Sequence, residues 1–133
     1  MINLVIDTNT IVSAVISPNG NPAKVIKLLA TNANMQIYYS VDILDEYKRV
    51  LSYERLNLPI ENRENMLNLI RELGILIEPK LSTISFADEN DRVFYDVAKT
   101  VDAYLITGNL KHFPSESRIV TSTQFVEKFE VKE

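Results

Sequence analysis

Apolar residues in this chain fall into short continuous runs and helical stripes, and the way the two alternate predicts the architecture. Leu4-Val5-Ile6 is a continuous, partly β-branched run ending at Asp7, the pattern of a strand buried on both faces of a parallel sheet. Ile11, Val12, Ala14 and Val15 follow at helical spacing. Ser17-Pro-Asn-Gly-Asn21 reads as a turn, with Asn21 as N-cap and Pro22 at the first position of a helix through Val25, Ile26, Leu28 and Leu29. Met35 to Ser40 has strand composition, and Ile43, Leu44, Tyr47, Val50 and Leu51 mark a helix over 41–51. A further helix over 61–73 ends at Gly74, before the apolar strand Ile75-Leu76-Ile77. A helix over 88–101 carries Val93, Phe94, Val97, Ala98 and Val101 on one side. Tyr104 to Thr107 is a buried strand stopped by Gly108-Asn109, Arg118 to Thr121 is the last strand, and 123–129 is a short closing helix. Strands separated by helices predict one α/β domain over 1–133, its mainly parallel sheet connected right-handedly and covered on both faces. Functional groups then belong at the carboxyl ends of the strands.

Composition narrows the chemistry. At 133 residues, with 46% hydrophobic and 24% charged positions, the chain reads as an ordinary soluble domain. The absence of cysteine excludes disulfides, iron–sulfur clusters and thiolate chemistry, and the one histidine, His112, excludes multi-histidine metal sites. Fourteen Lys and Arg against eighteen Asp and Glu leave a formal charge of −4, so nucleic acid is not held by bulk charge and any polyanion must be gripped locally. The run at the N-terminus reaches Asp7 too soon for a signal peptide or membrane span, so a cytoplasmic protein without a membrane partner is expected.

Neither Gly-x-Gly-x-x-Gly nor a P-loop follows the first strand; Asp7-Thr-Asn9 stands there instead. A phosphoaspartyl phosphatase would need a second Asp where Asn9 is. A receiver-like signalling domain would need an acidic pair after the first strand and a Lys after the last. Asp7 either caps the next helix or delivers its carboxylate to the sheet edge. On the 41–51 helix, Glu46 lies about 40° beyond the apolar stripe, with Asp42, Asp45 and Arg49 further out; it is a boundary residue or a site residue. Asp91 lies about 20° from Ala98 at the rim of its stripe, while Asp88 suits the N-cap. Thr107 and Asn109 flank Gly108 in a turn that is simple or presents both side chains to the same edge. Carboxylates gathered there would repel one another unless they hold a cation. With oxygen donors only, the cation would be Mg²⁺ or Mn²⁺, whose chemistry suits phosphodiester hydrolysis.

Four blocks then carry a resemblance: Val5 to Ser13, Ser40 to Leu51, Asp88 to Ala98, and Ala103 to Pro114. Together, and in this order, they resemble the successive blocks of a PIN domain, most closely the subgroup of toxins from toxin–antitoxin pairs. The resemblance implies a Rossmann-like three-layer α/β/α sandwich and a metal-dependent ribonuclease. It implies Asp7, Glu46 and Asp91 as metal-binding acids. Asn109 takes the fourth catalytic position, where many members carry Asp, and a neutral amide there weakens the case for a second ion. Asn9, Ser40 and Thr107 are implied as supporting or substrate-contacting groups, and Lys111 and His112, which follow the turn, as phosphate contacts. The implied partners are an RNA substrate, a small protein antitoxin and a second copy in a homodimer. The alternative is a PIN-like module that binds RNA or protein with little or no cleavage, for which Asn109 is the best argument.

Overall fold

The computed structural model describes residues 1–130, so the last three residues of the expected 1–133 domain lie outside the described residues. The elements run β1 (Ile2–Ile6), α1 (Thr8–Ile16), α2 (Asn21–Thr31), β2 (Met35–Tyr39), α3 (Val41–Leu51), α4 (Ile60–Leu73), β3 (Ile75–Leu76), α5 (Glu89–Val101), β4 (Tyr104–Ile106), β5 (Ile119–Val120) and α6 (Ser122–Phe129). Two 3₁₀ turns, Glu54–Leu56 and Leu110–His112, complete the list of helical segments. The five strands form one sheet in the order β3-β2-β1-β4-β5, and every pairing is parallel. Helices clothe it in the α/β/α manner, with α1, α2 and α6 packed together and α5 laid against β1, β2 and β4.

The predicted central strand is the core's axis: Leu4, Val5 and Ile6 are all fully buried, as are Ile37 of β2 and Leu105 and Ile106 of β4. Each such side chain contributes about 1.5–3 kcal/mol by leaving water, and the polar residues within these strands, Asn3 and Gln36, are only partly buried and donate to the backbone carbonyls of Val101 and Leu73. Helix α3 begins where the sequence places it because Ser40 caps it, its hydroxyl accepting from the Ile43 N–H at 3.2 Å.

Three local expectations change. The N-cap of α2 is Gly20, and Asn21 is already helical; its side-chain amide instead donates to the Thr123 hydroxyl on α6 at 2.9 Å. The expected strand 75–77 is a two-residue edge strand with both side chains exposed, since β3 has a partner on one side only. Gly74 does end α4, but with an extended φ of −91° rather than a left-handed one. It is required for closeness: a Cβ there would stand 2.5 Å from the Ile70 carbonyl oxygen and 2.7 Å from the Tyr39 ring. Neither the carbonyl nor the buried ring can move freely. Gly74→Ala is therefore expected to lower stability by about 1–3 kcal/mol, read as a lower urea midpoint with an unchanged slope. An unchanged midpoint would show that the α4–β2 contact is looser than described.

Candidate active site

Parallel register builds the site. Ile6 pairs with Ile106, so the next residues, Asp7 and Thr107, leave adjacent strands side by side. The Asp7 N–H donates to the Ile106 carbonyl at 2.9 Å, and the Thr107 hydroxyl donates to Asp7 Oδ2 at 2.7 Å. The β1–β2 register, with Leu4 opposite Ile37, carries Ser40 into the same row. The row lies at the carboxyl edge, where the fold class leads one to look.

Asp7 is 6% exposed and precedes α1 without a side-chain capping bond, so the capping account of this residue fails. Burial raises its carboxyl above the ordinary value, and the nearby Asp91 charge adds to this; the Thr107 hydroxyl, the Thr8 N–H and His112 act in the opposite direction. A buried acid whose proton affinity is raised by burial, at the carboxyl edge of the sheet, marks a candidate functional site.

Glu46 comes to the edge because of its neighbour in sequence. The fully buried Tyr47 donates its hydroxyl to the Ile6 carbonyl at the end of β1, tying α3 to the strand that carries Asp7. Glu46 then accepts from the Thr8 hydroxyl and lies 3.7 Å from Arg49. Its side chain is 15% exposed, whereas Asp42, Asp45 and Arg49 are open to solvent, in the order the helical wheel predicts. Burial raises its carboxyl, with the Asp7 charge adding, against the Thr8 bond and Arg49. Asp88 caps α5, accepting from the Asn90 N–H at 2.9 Å, and leaves Asp91 turned toward the edge with its side chain 17% exposed and Oδ2 3.5 Å from His112 Nδ1. Burial raises Asp91 as well, with Asp88 and Glu46 adding and His112 opposing.

These three acids share an edge and sense one another's charge. Among the described residues, however, no three of His, Asp and Glu form a ready-made metal-holding group. Each acid is turned to a partner of its own: Asp7 to Thr107, Glu46 to Thr8 and Arg49, Asp91 to His112. The donor set, all carboxylate oxygen, still matches a hard divalent cation in kind.

The remaining expected residues divide. Thr107 is fully buried and bonded to Asp7, as above. Asn109 contributes its backbone N–H, which donates to the Thr107 hydroxyl at 3.0 Å; this bond, not Gly108, shapes the turn, because a Cβ at Gly108 would meet nothing within 4 Å. The Ser40 hydroxyl accepts from the Ile43 N–H as the cap of α3, in the row that Asp7 and Thr107 share. Asn9 is exposed on the first turn of α1, and Lys111 and His112 are exposed on the 3₁₀ turn after β4. Sequence reasoning missed Thr8 and Tyr47. Only Tyr47 left a signal: a tyrosine in a fully apolar stripe must find a partner for its hydroxyl.

Because burial makes the folded protein hold the Asp7 proton more tightly than the unfolded chain does, ionising Asp7 costs stability. That cost sets in as pH rises from the ordinary value of 3.8 through the raised folded value and is constant above it. Asp7→Asn is therefore expected to melt higher than the parent at pH 7 in EDTA, by about 1 kcal/mol, with the advantage vanishing in acid. A variant less stable than the parent at every pH would contradict this electrostatic picture.

The geometry can be set beside known proteins. A PIN domain family model matches residues 3–111, the span from β1 through the turn that carries Asn109 and Lys111. An uncharacterized protein of Methanocaldococcus jannaschii is 32% identical over 144 aligned positions, covering 97% of this chain and 92% of the relative. The crystal structure of VapBC2 from Rickettsia felis bound to a DNA fragment from their promoter has the same fold, with a TM-score of 0.58 at 20% identity, over 83% of this chain and 90% of that one. The all-parallel sheet, the acids at its carboxyl edge and the match along most of the chain agree: the protein belongs to the PIN domain family.

Proposed function

We propose that this chain is a metal-dependent endoribonuclease and the toxin of a toxin–antitoxin pair. The observation that carries the reading is the buried Asp7 carboxyl, bonded to Thr107 at the end of β1, with Glu46 and Asp91 approaching the same edge from α3 and α5. Asp7, Glu46 and Asp91 would hold Mg²⁺ or Mn²⁺. Such an ion, when bound, supplies an activated water for in-line attack and neutralises charge on the scissile phosphate. The rest falls to the chain's own groups. Thr107 fixes the orientation of Asp7, and Thr8 that of Glu46. A carboxyl whose proton affinity is raised by burial is suited to accept the proton that the attacking water loses. Lys111 offers positive charge and His112 a ring nitrogen to the flanking phosphate, which matters in a chain whose net charge repels RNA. Asn109 adds no charge at the fourth position, so one tightly held ion is the expected complement.

Membership of the PIN family supports the nuclease class, and the likeness to VapBC2 in fold supports a small protein antitoxin as partner. The reading is completed by an RNA substrate, a homodimer, one domain and a cytoplasmic location; no helix among the described residues is long and apolar enough to cross a membrane. A second reading has its own support. Asn109, together with acids that face separate partners, favours a PIN-like module that binds RNA or protein with little or no cutting.

Incubation of a labelled single-stranded RNA panel with partner-free protein separates the two. The nuclease reading expects cutting with Mn²⁺ or Mg²⁺, none in EDTA, and a loss of at least about a hundredfold in Asp7→Asn. Asn109→Asp should preserve or raise the rate by restoring a fourth charge. Binding without cutting by the parent, at every metal concentration, would transfer the conclusion to the second reading.

A further inference from the structure

Beside Asp91 opens a groove of about 370 Å³ whose apolar part none of the predicted roles uses. Lys111 and His112 stand on one side, and Phe86, Phe113 and Pro114 supply its apolar surface. Phe86 lies in the irregular segment between β3 and α5, yet it is firmly held. Its ring centroid is 5.4 Å from that of Tyr95 and 6.1 Å from that of Phe113, both in edge-to-face arrangements, and the Arg92 guanidinium lies 5.2 Å from it. The segment itself is pinned to α5. Arg92 donates to the Ser82 carbonyl at 2.9 Å, to the Ser82 hydroxyl at 2.8 Å and to the Ile84 carbonyl, and the Ser82 N–H donates to the buried Asp96 carboxylate at 3.2 Å. Four bonds and two aromatic contacts thus fix a half-buried ring at the wall of an open groove.

We propose that this groove is a nucleobase subsite for single-stranded RNA. It takes the base of the nucleotide next to the scissile phosphate, against the Phe86 and Pro114 wall, with Lys111 on that nucleotide's phosphate and His112 held at the Asp91 end. The pairing of a rigid aromatic wall with cations a short distance away is what single-strand recognition needs, because every base has an apolar face and every link a negative charge. The acids decide the polarity of the groove: Asp88 and Asp91 repel phosphate from their end, so the backbone runs along the Lys111 side and the base turns toward Phe86. The Arg92 clamp pre-organises the wall, reducing the ordering cost of binding. Preference at this position then follows the stacking strength of the base and not a hydrogen-bond code.

The inference rests on the nuclease reading for the identity of the polymer, and its test is read by binding so that the two can fail separately. Short single-stranded RNAs, each carrying 2-aminopurine at one position, are added to Asp7→Asn protein in Mn²⁺, alongside matched RNAs abasic at that position. Quenching is expected at one position of the strand, and removing that base should weaken binding about tenfold. Phe86→Ala should weaken binding of the intact RNA by a similar factor and make it insensitive to the missing base. Phe86→Leu, which keeps the packing against Tyr95 and Phe113, should do the same and so separates stacking from folding. Position-independent quenching, an equal effect of the missing base with and without Phe86, or no RNA binding at all would overturn the proposal. If the parent protein cuts no RNA while the position-specific quench persists, the nuclease reading falls and the subsite stands. Cutting that is indifferent to both Phe86 and the base has the reverse meaning.

Discussion

The pairing of β1 with β4 is the constraint on which the rest of the molecule depends. It sets Ile6 opposite Ile106 in the driest part of the sheet and therefore Asp7 beside Thr107 one residue later, where both strands end. The distance from a fully apolar interior to a buried carboxylate is a single residue. The hydroxyl of Thr107 makes that tolerable by donating to Asp7, and the Asn109 N–H in turn fixes the hydroxyl. A slip of one residue in this register would carry Asp7 away from the Thr107 hydroxyl, so the pairing that ends both strands together enforces the position of the acid.

Around this pair the neighbouring helices bring charges that the fold alone does not need. Tyr47 anchors α3 to the end of β1 and so delivers Glu46; the Asp88 cap settles the start of α5 and leaves Asp91 free to turn inward. Each acid has its proton affinity raised by burial and by neighbouring acids, and each is partly offset by local donors or by a basic side chain. The edge therefore stores electrostatic tension, a pattern of structure giving up stability where function is expected. An assembly of like charges that costs stability in every state would have no reason to persist. One that a divalent cation relieves does.

The sequence revealed the parts of this arrangement that are governed by local periodicity. The all-buried run 4–6, the stripe of 41–51 with Ser40 before it, and the wheel positions of Glu46 and Asp91 all follow from spacing along one element, and the structure reproduces them. What depends on distant partners stayed hidden. Asn21 has the chemistry of an N-cap, but Thr123 on α6 engages it and Gly20 takes the cap. The bond between Thr8 and Glu46 depends on how α1 and α3 meet, and that angle is written in no single segment. Gly74 signalled a helix end correctly, though for steric room beside Tyr39 and not for a left-handed turn. Phe86 sits in a segment with no period at all, so nothing in its own neighbourhood distinguished a groove wall from a core residue.

If a divalent cation relieves the mutual repulsion of Asp7, Glu46 and Asp91, as the nuclease reading proposes, the folded protein binds the ion and the unfolded chain does not. Melting of the parent protein during titration with Mn²⁺ tests this directly, since an ion bound only by the folded state raises stability in proportion to the logarithm of its concentration once the site saturates. The expected outcome is a Tm for the parent that rises with Mn²⁺ and goes on rising with the logarithm of its concentration, with Mg²⁺ acting similarly, and a flat response for Asp7→Asn, which removes the buried charge. A parent protein whose Tm ignores both ions, or an equal rise in the variant, would contradict it.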